Sequence, residues 1–564
     1  MTPTWSLLLA VLLLGPALGS GYLLTYDMVW VPDLAMRPDF WGLGSGLPRA
    51  VPSDAVVAVV DEVVPGWLLQ KAVLLASLVV GGLGAARWLP PESLSGRLVA
   101  VSIYQWNPLV TERLAIGHWP VLVGYAVLPW LALAARRWRR DGGGLPLLLV
   151  LVPLGSLSVS AGLATALTLL AFGWRGRSRG DAALGGLLVA GNAPWLVTGL
   201  LHTGDATTDR AGAALFALSG SGALPAPLAA LGLGGSWNAE VVLPSREGPL
   251  SWVALGLVTA AVWGGWRAWS ASADRRDLVA FGLCWTFGLG AALLTWAAPD
   301  LVAWAGATLP GAGVLRDGAR SLVLCAPLLA VLAGHGAAEA VRRLPGDGAP
   351  RLVAAGVLVV LPVTVLPDAA WGLGGRLRPA DFPADYVAAQ ESVATAVADG
   401  QKGDVLLLPL ASYRQPEWNH HRKVLDPLGR FLSPDFVASD ELVVSGVAVA
   451  GEDPRVARVA AGLALPDAAA RARALAAEGI GLVVVDETAP GSSPLPAGRT
   501  LLDAGELRVL ALDGVRERRI PTGWYAAAVL AWAAYGGALA GGLVSAGLAR
   551  RRRRAAPASR GTGL

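Results

Sequence analysis

Polar chemistry in this chain is confined to a few short stretches, and the first is residues 26–65. It opens with Tyr26-Asp27-Met28-Val29-Trp30, carries Asp33, Arg37, Asp39 and Trp41, and continues into Pro48-Arg49-Ala50-Val51-Pro52-Ser53-Asp54. It follows at once on an apolar run, residues 5–24, long enough to cross a bilayer. A carboxylate at such a boundary, here Asp27, is partly desolvated. It can serve as a general base when a substrate hydroxyl docks within hydrogen-bond reach; the plainer reading is an interfacial acid that ends a helix. Asp33 and Asp39 read as loop acids. Asp27 and Asp33 offer the oxygen ligands of a divalent cation, the one cofactor left open, but two acids six residues apart make no metal motif.

A second cluster is Trp106-Asn107-Pro108, Glu112-Arg113 and Gly117-His118-Trp119-Pro120. An Asn-Pro step inside an apolar run frees backbone groups and bends a helix. Glu112 and Arg113 lie near the end of that run, where charges face a cavity or a partner, or compensate each other at the interface. His118 alone reads as an interfacial hydrogen-bonding residue. The third cluster is Leu315-Arg316-Asp317-Gly318-Ala319-Arg320, before a late apolar run. Two arginines four apart on a helix start share one face, and guanidinium groups at a helix N-terminus favour phosphate. The competing reading pairs them with lipid headgroups, Asp317 or other loop carboxylates. Farther on, Tyr413-Arg414-Gln415-Pro416-Glu417-Trp418-Asn419-His420-His421-Arg422 suits a carbohydrate surface as well as a solvated loop. There is no P-loop, no Gly-x-Ser-x-Gly elbow and no His-Glu-x-x-His. Cys284 and Cys325 read as free buried thiols.

The elements that must position these groups are membrane helices. Of 564 residues, 54% are hydrophobic and 15% charged, against roughly 25% charged in soluble domains. The net charge of +4 is small and gathered in short arginine-bearing loops, which marks membrane orientation and excludes a nucleic-acid surface. Apolar spans are expected at residues 5–24, 67–86, 98–116, 121–135, 182–201, 252–268, 278–298, 321–341, 352–365 and 524–549. Residues 142–174 carry no charge, are too long for one span, and are flanked by arginines at 136–140 and at Arg175, Arg177 and Arg179. Both flanks belong on the cytoplasmic side, which predicts two short helices broken around Pro153-Leu154-Gly155-Ser156. Residues 53–62 are too short to span, with Ser53 as an N-cap, and are expected as an amphipathic helix in the interface.

The expected fold is therefore a polytopic α-helical membrane protein of ten full spans plus a short hairpin, in the plasma (inner) membrane, with both termini cytoplasmic. Residues 1–366 form its multi-span part. Residues 367–521 are charged, mixed and broken by Gly and Pro, with helical patterning at 383–399 and 467–478 and strand-like runs at 404–409, 480–486 and 507–513. They read as an extracytoplasmic α/β domain. Residues 522–549 form the last span, and 550–564 a basic, disordered cytoplasmic tail near anionic lipid.

On these residues the chain resembles the GT-C superfamily of integral-membrane glycosyltransferases. An acid directly after the first span, Tyr26-Asp27-Met28-Val29, carries part of the likeness. So do Pro48-Arg49-Ala50-Val51-Pro52-Ser53-Asp54, Trp106-Asn107-Pro108-Leu109-Val110-Thr111-Glu112-Arg113-Leu114 and Gly117-His118-Trp119. These pieces look like a group of actinobacterial membrane proteins of this type, and the Ala, Gly and Arg bias fits such a source. Leu315-Arg316-Asp317-Gly318-Ala319-Arg320 is similar to an arginine-bearing segment in the larger arabinofuranosyltransferases. The resemblance implies a polyprenyl-phosphate sugar as donor and an envelope glycan or lipid as acceptor. It implies Asp27 as base, and Arg316, Arg320 and Arg113 as holders of the donor phosphate. Asp33, Asn107, Glu112 and His118 would line or support the cavity. A first-loop Asp-x-Asp or Glu-x-Asp is absent, a departure from the family pattern that leaves a metal open. A lipid-linked glycan transporter and a non-catalytic envelope-assembly protein are the rival readings.

Overall fold

The computed structural model describes residues 1–555 except 177, 346, 347 and 445. Its first helix, α1 (Thr2–Leu14), continues as a single 3-10 turn to Leu18 and stops there. This corrects the expected span to residue 24. Pro16 cannot donate to the helical ladder, and Gly15 (φ +48°) packs so closely that a Cβ there would lie 2.8 Å from the Trp371 Cα. The chain beyond runs extended and buried, with Leu23 and Leu24 both inaccessible. The Gln70 side chain holds the Leu23 backbone N–H and C=O at 2.9 and 2.7 Å.

The helix α2 (Ser53–Val60) does not lie free in an interface. Asp54 is buried and accepts from Arg430 Nε at 2.9 Å, which ties α2 to the later α/β unit. After α3 (Gly66–Ala86), the expected single span at 98–116 is two helices, α4 (Leu94–Gln105) and α5 (Pro108–Ala115). The Asn107 side chain separates them. Its Oδ1 accepts from Val110 N–H as an N-cap, and its Nδ2 donates to the Ile103 carbonyl, which its own extended backbone leaves open, and to the Tyr104 carbonyl, which Pro108 leaves open. The long α6 (Trp119–Asp141) follows. The uncharged stretch is two short helices, as expected: α7 (Leu145–Leu154) and α8 (Val159–Gly173), with Thr165 Oγ1 bonding the Gly155 carbonyl between them.

Among the described residues, five helices are long and apolar enough to cross a membrane: α3, α6, α9 (Arg179–Leu201), Arg275–Ala297 and Thr522–Leu548. Two bent pairs, Gly318–Leu324 with Ala326–Arg342 and Ala349–Thr364 with Pro367–Gly375, raise this to seven if each is one span. The protein is thus membrane-embedded and polytopic, with five to seven such elements where ten were expected. The last helix runs to Ala555, so the expected tail begins as helix. Residues 556–564 and Arg177 lie outside the described residues.

The α/β unit holds a five-stranded mixed sheet in the order β4-β1-β7-β9-β8. The strands β1 (Asp404–Leu408), β4 (Phe436–Val437) and β7 (Ile480–Asp486) are parallel, and β8 (Arg499–Ala504) and β9 (Leu507–Ala511) close it antiparallel. Side chains alternate between faces. Val405, Leu407, Leu482 and Val484 pack with Ala389 and Val393 of the helix Ala384–Ala398. Leu406, Leu408 and Val483 pack with Val459 and Leu475 of the helices Pro454–Leu463 and Ala468–Ala477. Two hairpins stand off the sheet: β2 (Tyr413–Arg414) with β3 (Val424–Leu425), and β5 (Leu442–Val444) with β6 (Val447–Val449).

Candidate active site

The β2–β3 hairpin is the link between the α/β unit and the start of the first loop, beside those made by Arg37, Arg49 and Asp54 farther along it. Tyr26 pairs with Val424: its N–H donates to the Lys423 carbonyl at 2.7 Å, and its own carbonyl accepts from Leu425 at 2.8 Å. These two bonds hold Tyr26 at φ +42°, a region disfavoured for a bulky residue and kept only where neighbours enforce it. From the other side, the Asp27 N–H reaches the Ile116 carbonyl at 3.2 Å, and Thr25 Oγ1 reaches the Ala115 carbonyl at 2.8 Å. Gly117 (φ +82°) permits this approach, since a Cβ there would lie 2.4 Å from Met28 N. Asp27 is therefore clamped between the end of α5 and the hairpin.

Each oxygen of Asp27 accepts one hydrogen bond. Tyr413 O–H donates to Oδ1 at 2.6 Å, and His118 Nε2 lies 3.1 Å from Oδ2. The tautomer of His118 follows from its other nitrogen. Arg113 Nη1 can only donate, and it lies 3.1 Å from His118 Nδ1, which makes Nδ1 the acceptor. Arg320 Nη2 also faces Nε2, but at 3.4 Å it is farther than the Asp27 oxygen at 3.1 Å, so Nε2 carries the hydrogen toward Asp27. Arg113 also donates to Asp317 Oδ2 at 3.1 Å, and Arg320 Nε donates to the same oxygen at 2.8 Å. Arg113 is fully buried and Asp317 nearly so. The result is a hydrogen-bonded chain in which Arg113 donates both to Asp317 and to His118, and His118 donates to Asp27.

The charges are consistent with that chain. Burial, then the nearby Arg320, pull the His118 pKa down to about 4, so the imidazole is neutral at pH 7. For Asp27, burial pushes upward, but the hydrogen bonds from His118 and Tyr413 and the nearby Arg320 charge outweigh it and hold the carboxylate at about 2. Burial and Asp27 itself raise the Tyr413 phenol well above its usual value, so it remains a donor. Asp27 is nonetheless reachable: 42% of its side chain is open to solvent within an otherwise enclosed setting. It is an ionised, oriented, accessible carboxylate of low proton affinity. Such a group takes a proton late, once an attacking hydroxyl oxygen has bonded to carbon and become strongly acidic.

Of the residues singled out in the sequence, Asp27, His118, Arg113 and Arg320 come together. Arg316 points elsewhere, to Glu452 Oε1 at 3.1 Å, with its guanidinium over the Phe216 ring. The expectation that Arg316 and Arg320 share a helix face is corrected. Arg316 closes one 3-10 turn, Ala312–Leu315, and Asp317 (φ −93°, ψ 78°) breaks the chain before the next, Gly318–Leu324, which carries Arg320, so no continuous helix holds both side chains. Asn107 serves as the α5 cap. Glu112 is buried facing the backbone of Gly235 and Ser236, away from Asp27. Asp33 lies on the surface beside Asp61.

Sequence reasoning missed Tyr413 as a partner of Asp27. It also missed the bridge in which Glu452 accepts from Arg49 at 2.7 Å as well as from Arg316. Tyr413 did stand in the aromatic, hydrogen-bonding stretch; Glu452 carried no signal. Arg49 and Arg320 keep 46% and 34% of their side chains exposed, leaving donors for an anion. The neighbours of Asp27 are donors and cations, so the site does not fit a divalent cation. Among the described residues no group of three His, Cys, Asp or Glu side chains is placed to hold one.

No family model matches the sequence, and no curated protein matches it. Solved structures do. The fold is similar to that of arabinofuranosyltransferase AftD from mycobacteria, determined by single-particle cryo-EM, with TM-score 0.53 and 16% identity. The match covers 92% of this chain and 40% of that one. A second class of a mutant AftD gives TM-score 0.52 and 15% identity over 92% and 41%. The two proteins share a fold, and this chain spans about two fifths of the length of the one it matches.

Proposed function

We propose that the protein is a membrane glycosyltransferase that takes a sugar from a polyprenyl-phosphate donor and attaches it to an envelope glycan or lipid on the outer face. In this reading residues 1–366 are the multi-span part and 367–521 an extracytoplasmic domain. Residues 522–549 return to a basic cytoplasmic tail at 550–564, so that both termini are cytoplasmic. The fold shared with an arabinofuranosyltransferase supports it. The single observation that carries it is Asp27: an ionised carboxylate, accessible, oriented on both oxygens by His118 and Tyr413, with the charges of Arg320 and Arg49 acting on it.

The bond between the anomeric carbon and the phosphate oxygen breaks as the acceptor oxygen bonds to that carbon. The acceptor proton passes to Asp27, and the polyprenyl phosphate leaves carrying the electron pair. Arg320, with Arg316 and Arg49 to its side, offsets the charge growing on that phosphate. Arg113 is fully buried and acts through His118, as a positioning residue. The donor arrives in the bilayer, so no nucleotide-binding fold is required.

The test is sugar transfer in purified membranes with a panel of polyprenyl-phosphate sugars, comparing wild type with Asp27→Asn at matched expression. Transfer by the wild type that disappears in Asp27→Asn while donor binding persists supports the assignment. Equal transfer by both moves the base elsewhere. No transfer with any donor, alongside movement of a lipid-linked glycan in reconstituted vesicles, replaces the enzyme with a transporter.

A further inference from the structure

Lys71 lies on α3, one turn beyond Trp67, and is 6% exposed. A lysine ammonium has three N–H donors. Here its partner is the Gln70 Oε1 at 3.4 Å, an oxygen that already accepts from Leu23. A buried ammonium with no carboxylate is costly. The charge that acts on Lys71 is another cation, Arg422, and the charge that acts on Arg422 is Arg378.

These cations are bound to neutral groups. Arg422 donates to the Asn419 carbonyl, the Asn419 Oδ1 and the Arg376 carbonyl. Arg378 donates to the Gly375 carbonyl, and Arg376 to the Glu240 and Val242 carbonyls. Among the described residues none of the four is ion-paired to an acid. The Asn419 Nδ2 donates to the Leu24 carbonyl, which fastens the Arg422 loop to the same segment that Gln70 grips. That loop turns through two successive residues at positive φ, His420 and His421, a conformation that costs free energy and must be enforced. Trp67 and Trp371 are exposed near these groups, as aromatic residues are where apolar surface meets water.

We propose that Lys71 and Arg422, with Arg376 and Arg378 on the exposed side, bind a phosphate group at the edge of the apolar belt, carried by an anionic lipid headgroup or present as free phosphate. A phosphate supplies several acceptor oxygens and the negative charge that the cluster lacks. The site shares no hydrogen bond with Asp27, His118 or Tyr413, and it holds whether or not the chain transfers sugar.

Thermal unfolding of the full-length protein in neutral detergent tests it, with phosphatidylglycerol, phosphatidylcholine or inorganic phosphate added at low salt. Phosphatidylglycerol is expected to raise the wild-type melting temperature above the phosphatidylcholine value. That rise is expected to vanish in Lys71→Met and Arg422→Gln and to survive in Lys71→Arg. A rise with inorganic phosphate that shows the same pattern assigns the site to free phosphate. Without any phosphate, Lys71→Met is expected to melt higher than the wild type, because it removes an unpaired buried charge. No rise with either probe, equal rises in wild type and both variants, or a lower melting temperature for phosphate-free Lys71→Met would each overturn the proposal.

Discussion

The bond from Tyr413 to Asp27 is the most direct contribution of the α/β unit to the site, and Tyr413→Phe removes it alone. At 2.6 Å to an ionised oxygen it is charge-assisted, and such bonds contribute roughly 1.5–3 kcal/mol. The Asp27 side chain is 42% exposed, so water takes over part of the lost bond. The expected loss is therefore just below that range, about 1.4 kcal/mol, a factor of about 10 in rate and about one pKa unit. The direction follows from the causes. Burial raises Asp27, and donors from His118 and Tyr413 pull it down to about 2, so losing one donor moves it up. A depressed carboxylate adds stability above its unfolded pKa of roughly 4 and loses that stability as pH falls toward 2. Tyr413→Phe is expected to transfer sugar about 10-fold more slowly at pH 7 and to melt lower there, with the melting difference closing only as pH falls from about 3 through about 2. The assay is transfer in membranes, paired with melting of the purified protein across pH. Unchanged transfer and unchanged melting at pH 7 would refute the contact. A loss as complete as that of Asp27→Asn would make Tyr413 a proton-transferring group and overturn the argument from position.

His118→Gln places an amide donor toward Asp27 and an acceptor toward Arg113, so it is expected to retain more transfer than His118→Ala, which leaves both partners open; kinetics of the two variants at matched expression decide this. Glu452→Gln removes the charge shared by Arg49 and Arg316, and is expected to cost on the order of 2 kcal/mol, less than a fully buried pair because Arg49 is half open. Limited proteolysis should then release the α/β unit faster. Asp435 is raised to about 6 by burial first and then by Asp39 and Asp404, so its ionisation works against the fold as pH rises from 4 through 6. Asp435→Asn keeps one acceptor oxygen, for the Asp39 N–H, and like the protonated acid turns a donor toward Arg518; it is expected to melt higher than wild type at pH 7 and equally near pH 4.

Long uniform patterns in the sequence were legible as elements. Apolar runs placed α3, α6 and α9 within a few residues, and the charge-free stretch resolved into the expected pair, α7 and α8. In the α/β unit, β1, β7 and β9 and the helices Ala384–Ala398 and Ala468–Ala477 stood where alternation and helical patterning put them. Runs interrupted by one or two residues were not. Gly15-Pro16 ended α1 early, and Asn107-Pro108 split a span, because a proline removes a donor whose loss a window of average hydropathy does not register. Two-residue strands such as β2 and β3 have too few positions to show a period.

What the sequence determined by itself is the solvent and the inventory: apolar runs that require a bilayer, and polar side chains so scarce that Asp27, Arg113, His118 and Arg320 stood out. Residue type and local periodicity suffice for that, since transfer free energies and helix geometry act over a few turns. Which of those side chains meet was decided by the tertiary structure alone. Asp27 joins Tyr413 across 386 residues of chain and His118 across 91, and Arg113 joins Asp317 across 204. Such contacts depend on how helices pack and on one backbone pairing, Tyr26 with Val424, whose cost is met only when the whole unit has formed. The break at Asp317 that separates Arg316 from Arg320 is of the same kind, beside Gly318 packed on Thr295, where a Cβ would fall 2.6 Å from the hydroxyl.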